Sequence, residues 1–229
     1  MRLHRFYINQ KLNEGAEIRI SDPELLHQWM KVFRLSANDR VIVFNGSGDD
    51  FECYFKILSR KEAVLVVEDE RENKNVVKTE LHVFQSIIKK DNFEFIVEKC
   101  TEIGAKAFHP LITERSEKKD LNLQRLNKIA TEASEQSGRT NVPEIFEPQK
   151  LEDAIEKFDG ELFVFDFDGE EIPEKINKKV GVLVGPEGGW SDKEREIFKN
   201  KKIKSVSFGP QVLRAETAAI VASALILMK

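Results

Sequence analysis

The chain has 229 residues, of which 41% are hydrophobic and 33% charged, with a formal net charge of −4; this describes a soluble globular protein of one large or two modest domains. Its longest charge-free run, Thr217–Met228, has twelve residues, too few to span a bilayer, so a buried helix and no membrane partner are expected. No leader with charged, apolar and small-residue zones opens the sequence, which argues against secretion.

Cys53 and Cys100 lie far apart and fit no metal-ligand spacing, so they read as reduced thiols of a cytoplasmic protein. His4, His27, His82 and His109 are isolated along the chain, and no metal site is expected. The negative net charge argues at first against a nucleic-acid partner. However, residues 144–174 hold twelve acids against Lys150 and Lys157, a local −10 that leaves +6 for the rest. Binding follows local patches, so an anionic partner fits if the acidic segment faces away.

In chain order, a helix comes first. Ser21 and Glu24 have the spacing of a capping box, Pro23 stands in the first turn, and Leu25, Leu26, Trp29, Met30 and Phe33 form the apolar face. RVIVFN (40–45), FECYFKIL (51–58) and EAVLVVE (62–68) are short runs rich in β-branched and aromatic residues, separated by NGSGDD and SRK. They predict hairpins, and with the helix a small barrel covered at one end. The polar stretch ERENKNVVK (70–78) reads as a linker. This divides the chain into domains at 1–72 and 73–229.

Beyond residue 80 strands alternate with helices. LHVFQSII (81–88), KAFHPLIT (106–113), ELFVFDF (161–167), VGVLVG (180–185) and SVSF (205–208) read as strands. Helices are expected at 91–103, capped by Asp91 and ended by Gly104, at 121–137, ended by Gly138, and at 191–199 and 214–228. Apolar strands each followed by a helix indicate an α/β fold with a parallel sheet covered on both faces.

VGVLVGPEGGWSDKE places Val184, Gly185, Pro186, Glu187, Gly188 and Gly189 at the carboxyl end of a strand, with Ser191 and Glu194 capping the next helix. Ligands of open α/β sheets bind in that position. The run is neither a P-loop nor G-x-G-x-x-G, and Glu187 would repel a triphosphate. An acid amid exposed backbone groups suits a ligand with donors, such as an adenine amine, a ribose hydroxyl or an ammonium; a left-handed turn with no ligand fits the same residues. A branched side chain at Gly188 is expected to intrude on the ligand space or to be excluded by a positive φ. SFGPQVLRAETAAIVASALIL (207–227) repeats the arrangement and sets Arg214, Glu216 and Thr217 at the mouth of the most apolar helix. Charges there are awkward to bury unless paired or facing a cavity.

GPEGGWSDKE and FGPQVLRAETAA resemble the two C-terminal signatures of the trefoil-knot (SPOUT) S-adenosylmethionine-dependent RNA methyltransferases. The combination is most similar to the small-subunit (16S) ribosomal RNA uridine-N3 methyltransferases. KKDNFEFIVEKCTEIGA (89–105), TEASEQSGRTNVP (131–143), HRFYI (4–8) and HQWMKVFRLSANDRV (27–41) add matches in the same order. Ile103, Phe208 and Val32–Phe33 depart from the usual residues in ways that conserve shape or lie at the periphery; Asn38, which stands for a glycine, does neither but is a residue that tolerates a left-handed backbone.

The resemblance implies a PUA-like RNA-binding β-barrel at 1–72, a knotted α/β methyltransferase domain at 73–229, and a homodimer through the knot. It implies S-adenosylmethionine as cofactor, held by Val184, Gly185, Pro186, Glu187, Gly188, Gly189, Phe208, Gly209, Val212, Leu213, Thr217 and Ala218. It implies methylation at N3 of a uridine in the decoding region near the 3′ end of 16S rRNA, in the assembled small ribosomal subunit. Since N3 lies on the Watson–Crick edge, that uridine must be unpaired or flipped. Arg214 and Arg139 are candidates to stabilise negative charge on the uracil, with Glu216 orienting Arg214 or accepting the proton. Arg2, Arg5, Lys31, Arg34, Lys89, Lys90 and Arg115 are candidate phosphate contacts. A non-catalytic RNA-binding dimer and a knotted methyltransferase acting on another RNA are the competing readings.

Overall fold

A computed structural model of the chain describes residues 3–116 and 120–228. The chain divides into two compact units, Met1–Val76 with Ser134–Val142, and Val77–Ala133 with Pro143–Lys229.

The first unit is built on one five-stranded sheet. Its strands are β1 (Arg5–Tyr7), β2 (Glu17–Ile20), β3 (Arg40–Phe44), β4 (Asp49–Leu58) and β5 (Ala63–Glu72), in the order β1-β3-β4-β5-β2. β1 runs parallel to β3, and the other pairs are antiparallel. The three expected strands are present. β5, however, runs on to Glu72, into residues read as linker, and β1 and β2 had no strand signal of their own. Alternate residues of each strand face inward: Val41 and Val43, Phe51, Cys53 and Phe55, Leu65 and Val67 are all buried.

Trp29 and Leu26 close this core from a helix, α1 (Pro23–His27), that continues as a π turn over Gln28–Val32. Here the expected cap moves by one residue. Asp22, not Ser21, is the N-cap; its Oδ1 accepts from the N–H groups of Glu24 at 2.8 Å and Leu25 at 3.4 Å. Pro23 is the reason, since proline prefers the first helical position and leaves the cap to the residue before it.

The second unit is a fully parallel sheet. Its strands are β6 (Glu80–Ser86), β7 (Ala107–Ile112), β8 (Glu144–Ile145), β9 (Gln149–Lys150), β10 (Glu161–Glu170), β11 (Lys179–Val184) and β12 (Lys204–Val206). The order is β12-β10-β11-β6-β7-β8, with β9 also on β7. The helices are α2 (Lys90–Ile103), α3 (Leu123–Ser137), α4 (Leu151–Lys157), α5 (Asp192–Asn200) and α6 (Ala215–Leu227). α4, β8 and β9 lie within the acidic stretch that was read only as charge. α2 starts one residue before Asp91, which lies in its first turn and not at its cap. Gly104 and Gly138 end their helices with positive φ, as expected. Among the described residues no helix is long and apolar enough to cross a membrane.

Histidines that are isolated in sequence meet in this sheet. His82 on β6 and His109 on β7 are buried, with Nδ1 of His82 2.9 Å from Nε2 of His109. The His109 ring is stacked between Phe84 at 4.1 Å and Phe146 at 4.3 Å. Burial, then the neighbouring His82, pulls His109 down to about 3, and burial also lowers His82. Both are therefore neutral in the fold at pH 7. The unfolded chain binds more protons between pH 6.5 and about 3, so this contribution to stability is lost as pH falls through that window. His109→Phe keeps the aromatic stack and removes the titrating ring. We expect a lower melting temperature at pH 7.5, where the hydrogen bond is lost, but a shallower fall towards pH 4. Parallel melting curves against pH for mutant and wild type would rule this out.

Candidate functional site

The carboxyl ends of β10, β11 and β12 lie side by side, and the loops that leave them enclose a cavity of about 270 Å³. The turn after β11 contributes Val184, Gly185, Pro186, Glu187, Gly189 and Trp190; the turn after β12 contributes Ser207, Phe208, Gly209, Gln211, Val212 and Leu213. Arg214, Ala215 and Ala218 line it from the start of α6, and Phe165, Asp166 and Phe167 from β10. The sequence-expected set is thus brought together, except that Gly188 and Thr217 are not on the wall. The β10 residues, Trp190, Ser207, Gln211 and Ala215 are not in the set expected from the sequence. Only the neighbour relation of β10 to β11 and β12 could have brought Phe165–Phe167 in, whereas Gln211 was within the turn already singled out.

Each turn is fixed by its own sequence. In the β11 turn Gly189 donates to the Pro186 carbonyl at 2.8 Å and has φ 67°. The left-handed residue is therefore Gly189, and Gly188 is not in that region. Beneath the turn, the Trp190 ring lies where a Cβ on Gly185 would be only 3.2 Å away, so a larger residue would push the turn off its indole floor. Trp190 Nε1 donates to the Phe165 carbonyl at 3.3 Å, which ties the turn to β10. The expected Ser191–Glu194 capping box is complete: Ser191 Oγ accepts from Glu194 N–H at 3.3 Å, and Glu194 Oε2 accepts from Ser191 N–H at 2.8 Å.

The walls combine aromatic and aliphatic side chains with a few polar groups. Phe165 and Phe208 stack at 4.5 Å. Asp166 is held by Arg195, and Val212 is 76% exposed at the rim. The backbone N–H groups of Gln211, Val212 and Leu213 donate to no protein acceptor among the described residues. A ligand with an apolar ring and hydrogen-bonding edges fits such a cavity.

Arg214 is the N-cap residue of α6 and is exposed; its carbonyl accepts from the Ala218 N–H at 2.8 Å, while its guanidinium has no hydrogen-bond or ion-pair partner among the described residues. Arg214 and Glu216 form no ion pair among the described residues. Instead Glu216 accepts weakly from Asn92 Nδ2, at 3.5 Å, on α2. Arg139 belongs to the first unit. Its guanidinium donates to Asn141 Oδ1 at 2.8 and 3.3 Å, and burial lowers it to about 10, which leaves it cationic at neutral pH.

The remaining basic candidates separate by environment. Lys31, Arg34, Lys89 and Lys90 are exposed, and Arg34 has a positive φ of 55°. Arg5 is buried, paired with Asp50, and donates to the Arg139 carbonyl at 3.0 Å; its charge is already neutralised within the unit. Arg115 donates to the carbonyls of Gly188 and Trp190. Arg2 lies outside the described residues. Among the described residues no three His, Cys, Asp or Glu side chains form a group able to hold a metal ion.

Residues 75–227 match the model of the RNA methyltransferase domain family. Over 233 residues the chain is 31% identical to the ribosomal RNA small subunit methyltransferase E of Rickettsia conorii, covering 98% of this chain and 95% of that one. It is also 31% identical to the protein of the same name from Aquifex aeolicus, covering 95% and 96%. Its fold superimposes with a TM-score of 0.92 on the crystal structure of a ribosomal RNA small subunit methyltransferase E from Neisseria gonorrhoeae bound to S-adenosyl methionine, at 25% identity over 99% of this chain and 98% of that one. A chain that shares this family's domain and the full length of these relatives belongs to the RNA methyltransferase family, among the ribosomal RNA small subunit methyltransferase E proteins.

Proposed function

We propose that the protein transfers a methyl group from S-adenosylmethionine to N3 of a uridine in the decoding region near the 3′ end of 16S rRNA, in the assembled small subunit. The observation that carries this reading is the cavity at the ends of β10, β11 and β12, walled by two backbone turns and with an unpartnered guanidinium at its rim. Its apolar floor suits adenine, and the uncommitted N–H groups of Gln211–Leu213 suit the edges of the ring and ribose. Glu187 suits a cationic ligand. Bound there, S-adenosylmethionine supplies an electrophilic methyl group on a sulfonium.

The residues of the chain have the rest to do. Uridine N3 carries a proton and becomes a good nucleophile only as that proton leaves, with negative charge spreading over O2, N3 and O4. The planar fork of Arg214 can donate to two of those atoms at once. Glu216, held by Asn92, is the candidate to take the proton or to orient Arg214, and Arg139 is a second candidate donor. Lys31, Arg34, Lys89 and Lys90 are the exposed candidates for phosphate contacts. In this reading residues 1–72 form a PUA-like RNA-binding domain and residues 73–229 a knotted methyltransferase domain working in the cytoplasm. The test is methyl transfer to small subunits purified from cells that lack the protein. Reverse transcription should stop at one uridine near the 3′ end, because a methyl on N3 blocks pairing. Methyl incorporation without such a stop would refute the N3 assignment.

The same reading includes a homodimer through the second unit. α6 buries Ala219, Ala222 and Ile226, yet leaves Ile220 and Val221 half-buried and Leu225 37% exposed, and Met228, which follows it, is 83% exposed. An apolar helix with no polar face needs a second cover. The full chain should sediment at twice 26.3 kDa, and Leu225→Glu should shift it towards the monomer. A wild-type monomer at micromolar concentration would defeat the proposal.

A further inference from the structure

Arg115, expected among the phosphate contacts, is exposed, and its guanidinium engages the β11 turn. It follows β7 in the segment Thr113–Ser116, where Thr113 Oγ1 and Ser116 Oγ lie 2.7 Å apart. Its Nη1 donates to the Gly188 carbonyl at 2.7 Å and to the Trp190 carbonyl at 3.3 Å. These two carbonyls flank Gly189, the residue of the turn at φ 67°.

The peptide units involved are held at both ends. In the Gly188–Gly189 unit the oxygen accepts from Arg115, while the N–H donates to Pro186. In the Trp190–Ser191 unit the oxygen again accepts from Arg115, and the N–H donates to Glu194. Glu194 is itself 5% exposed, and its other oxygen accepts from the Glu114 N–H at 3.0 Å. Two consecutive residues of the β7 loop are thus tied to the glycine turn, one through its backbone and one through its guanidinium. A glycine-rich turn has many accessible conformations, and fixing it in advance lowers the entropic cost of binding.

We propose that Arg115 is a positioning residue that holds the β11 turn in its ligand-receiving conformation; this rests on the reading of that turn as part of the S-adenosylmethionine site. The carbonyls that engage Arg115 fix which way their peptide planes face, and so which backbone groups the turn presents to the cavity. The aliphatic stem of Arg115 adds a contact, since Cδ lies 3.4 Å from where a Cβ on Gly188 would stand.

Arg115→Met keeps that stem and removes the donors, and Arg115→Lys keeps the charge but not the fork. For the full-length protein, S-adenosylmethionine affinity is measured by calorimetry, and affinity for small-subunit ribosomal RNA by filter binding. For Arg115→Met the Kd for S-adenosylmethionine should rise roughly tenfold, as for the loss of one charge-assisted hydrogen bond, with RNA affinity unchanged and kcat recovered at saturating cofactor. Arg115→Lys should restore part of the affinity. A loss of RNA affinity with unchanged cofactor binding would make Arg115 a phosphate contact and overturn the proposal, as would cofactor binding unchanged in both variants. Gly189→Val, measured alongside, separates two failures. If it abolishes cofactor binding and Arg115→Met does not, the positioning role falls and the turn keeps its ligand. If neither substitution matters, the turn is not the cofactor site.

Discussion

Replacing Arg214 by lysine is expected to lower kcat roughly tenfold to a thousandfold, by comparison with the loss of about a hundredfold to a thousandfold when one donor to a developing oxyanion is removed outright. The Kd for S-adenosylmethionine should change little, because the guanidinium acts on charge that appears only in the transition state. The structure sharpens this expectation, since Arg214 is exposed at the cavity rim and no carboxylate among the described residues neutralises it. Lysine keeps the charge, but its point-like ammonium cannot serve two atoms of a planar ring. Single-turnover methyl transfer together with calorimetry distinguishes the outcomes. Wild-type kinetics would remove Arg214 from the chemistry, and a matching loss in cofactor affinity would make it a cofactor ligand.

Gly189→Val should weaken cofactor binding by at least about tenfold, because a left-handed residue with a Cβ costs roughly 1–2 kcal/mol and β-branching raises that cost. A Cβ at Gly189 would meet nothing within 4 Å, so the effect comes from the backbone and not from a clash. The turn relaxes by moving φ, and the peptide planes on either side of Gly189 rotate with it. Gly188→Val is the control. Its φ is not left-handed and its nearest neighbour is the Arg115 stem at 3.4 Å, so a smaller loss is expected. If calorimetry finds Gly189→Val binding like wild type while the protein stays folded, the geometry of this turn has no part in recognition.

Both expectations rest on residues that were legible in the sequence, because the strand–glycine–helix pattern is local. The parallel strands were legible for a related reason: LHVFQSII and VGVLVG are apolar on both faces, as strands covered by helices must be. What was not legible depends on partners distant in sequence. β1 has only three residues and exists because β3 pairs with it from Ile42 to Phe44. The strand expected at 161–167 runs on through the polar residues Asp168, Gly169 and Glu170, because an irregular register lets Glu170 pair with Val206. The contact between His82 and His109 follows from the β6–β7 register, which sets Phe84 beside His109. The partners of Arg115 and Arg5 were hidden likewise, since a basic side chain looks the same in sequence whether it meets a phosphate or a carbonyl.

The order of the parallel sheet has a consequence for how the chain is made. β6 pairs directly with β11, from Glu80–Lys179 to Gln85–Val184, so its neighbour on that side is missing while the intervening residues are synthesised. At roughly 5–20 residues per second that interval is on the order of 5–20 s. Meanwhile β6 can pair only with β7, and its other edge, carrying Leu81, Val83 and Phe84, is open. Unpaired apolar edges of this kind template misassociation, and sheets dominated by distant pairings form slowly. The nascent chain is therefore most in need of a chaperone in the window after residue 112 and before residue 184, and a ribosome stalled there should yield an aggregation-prone product.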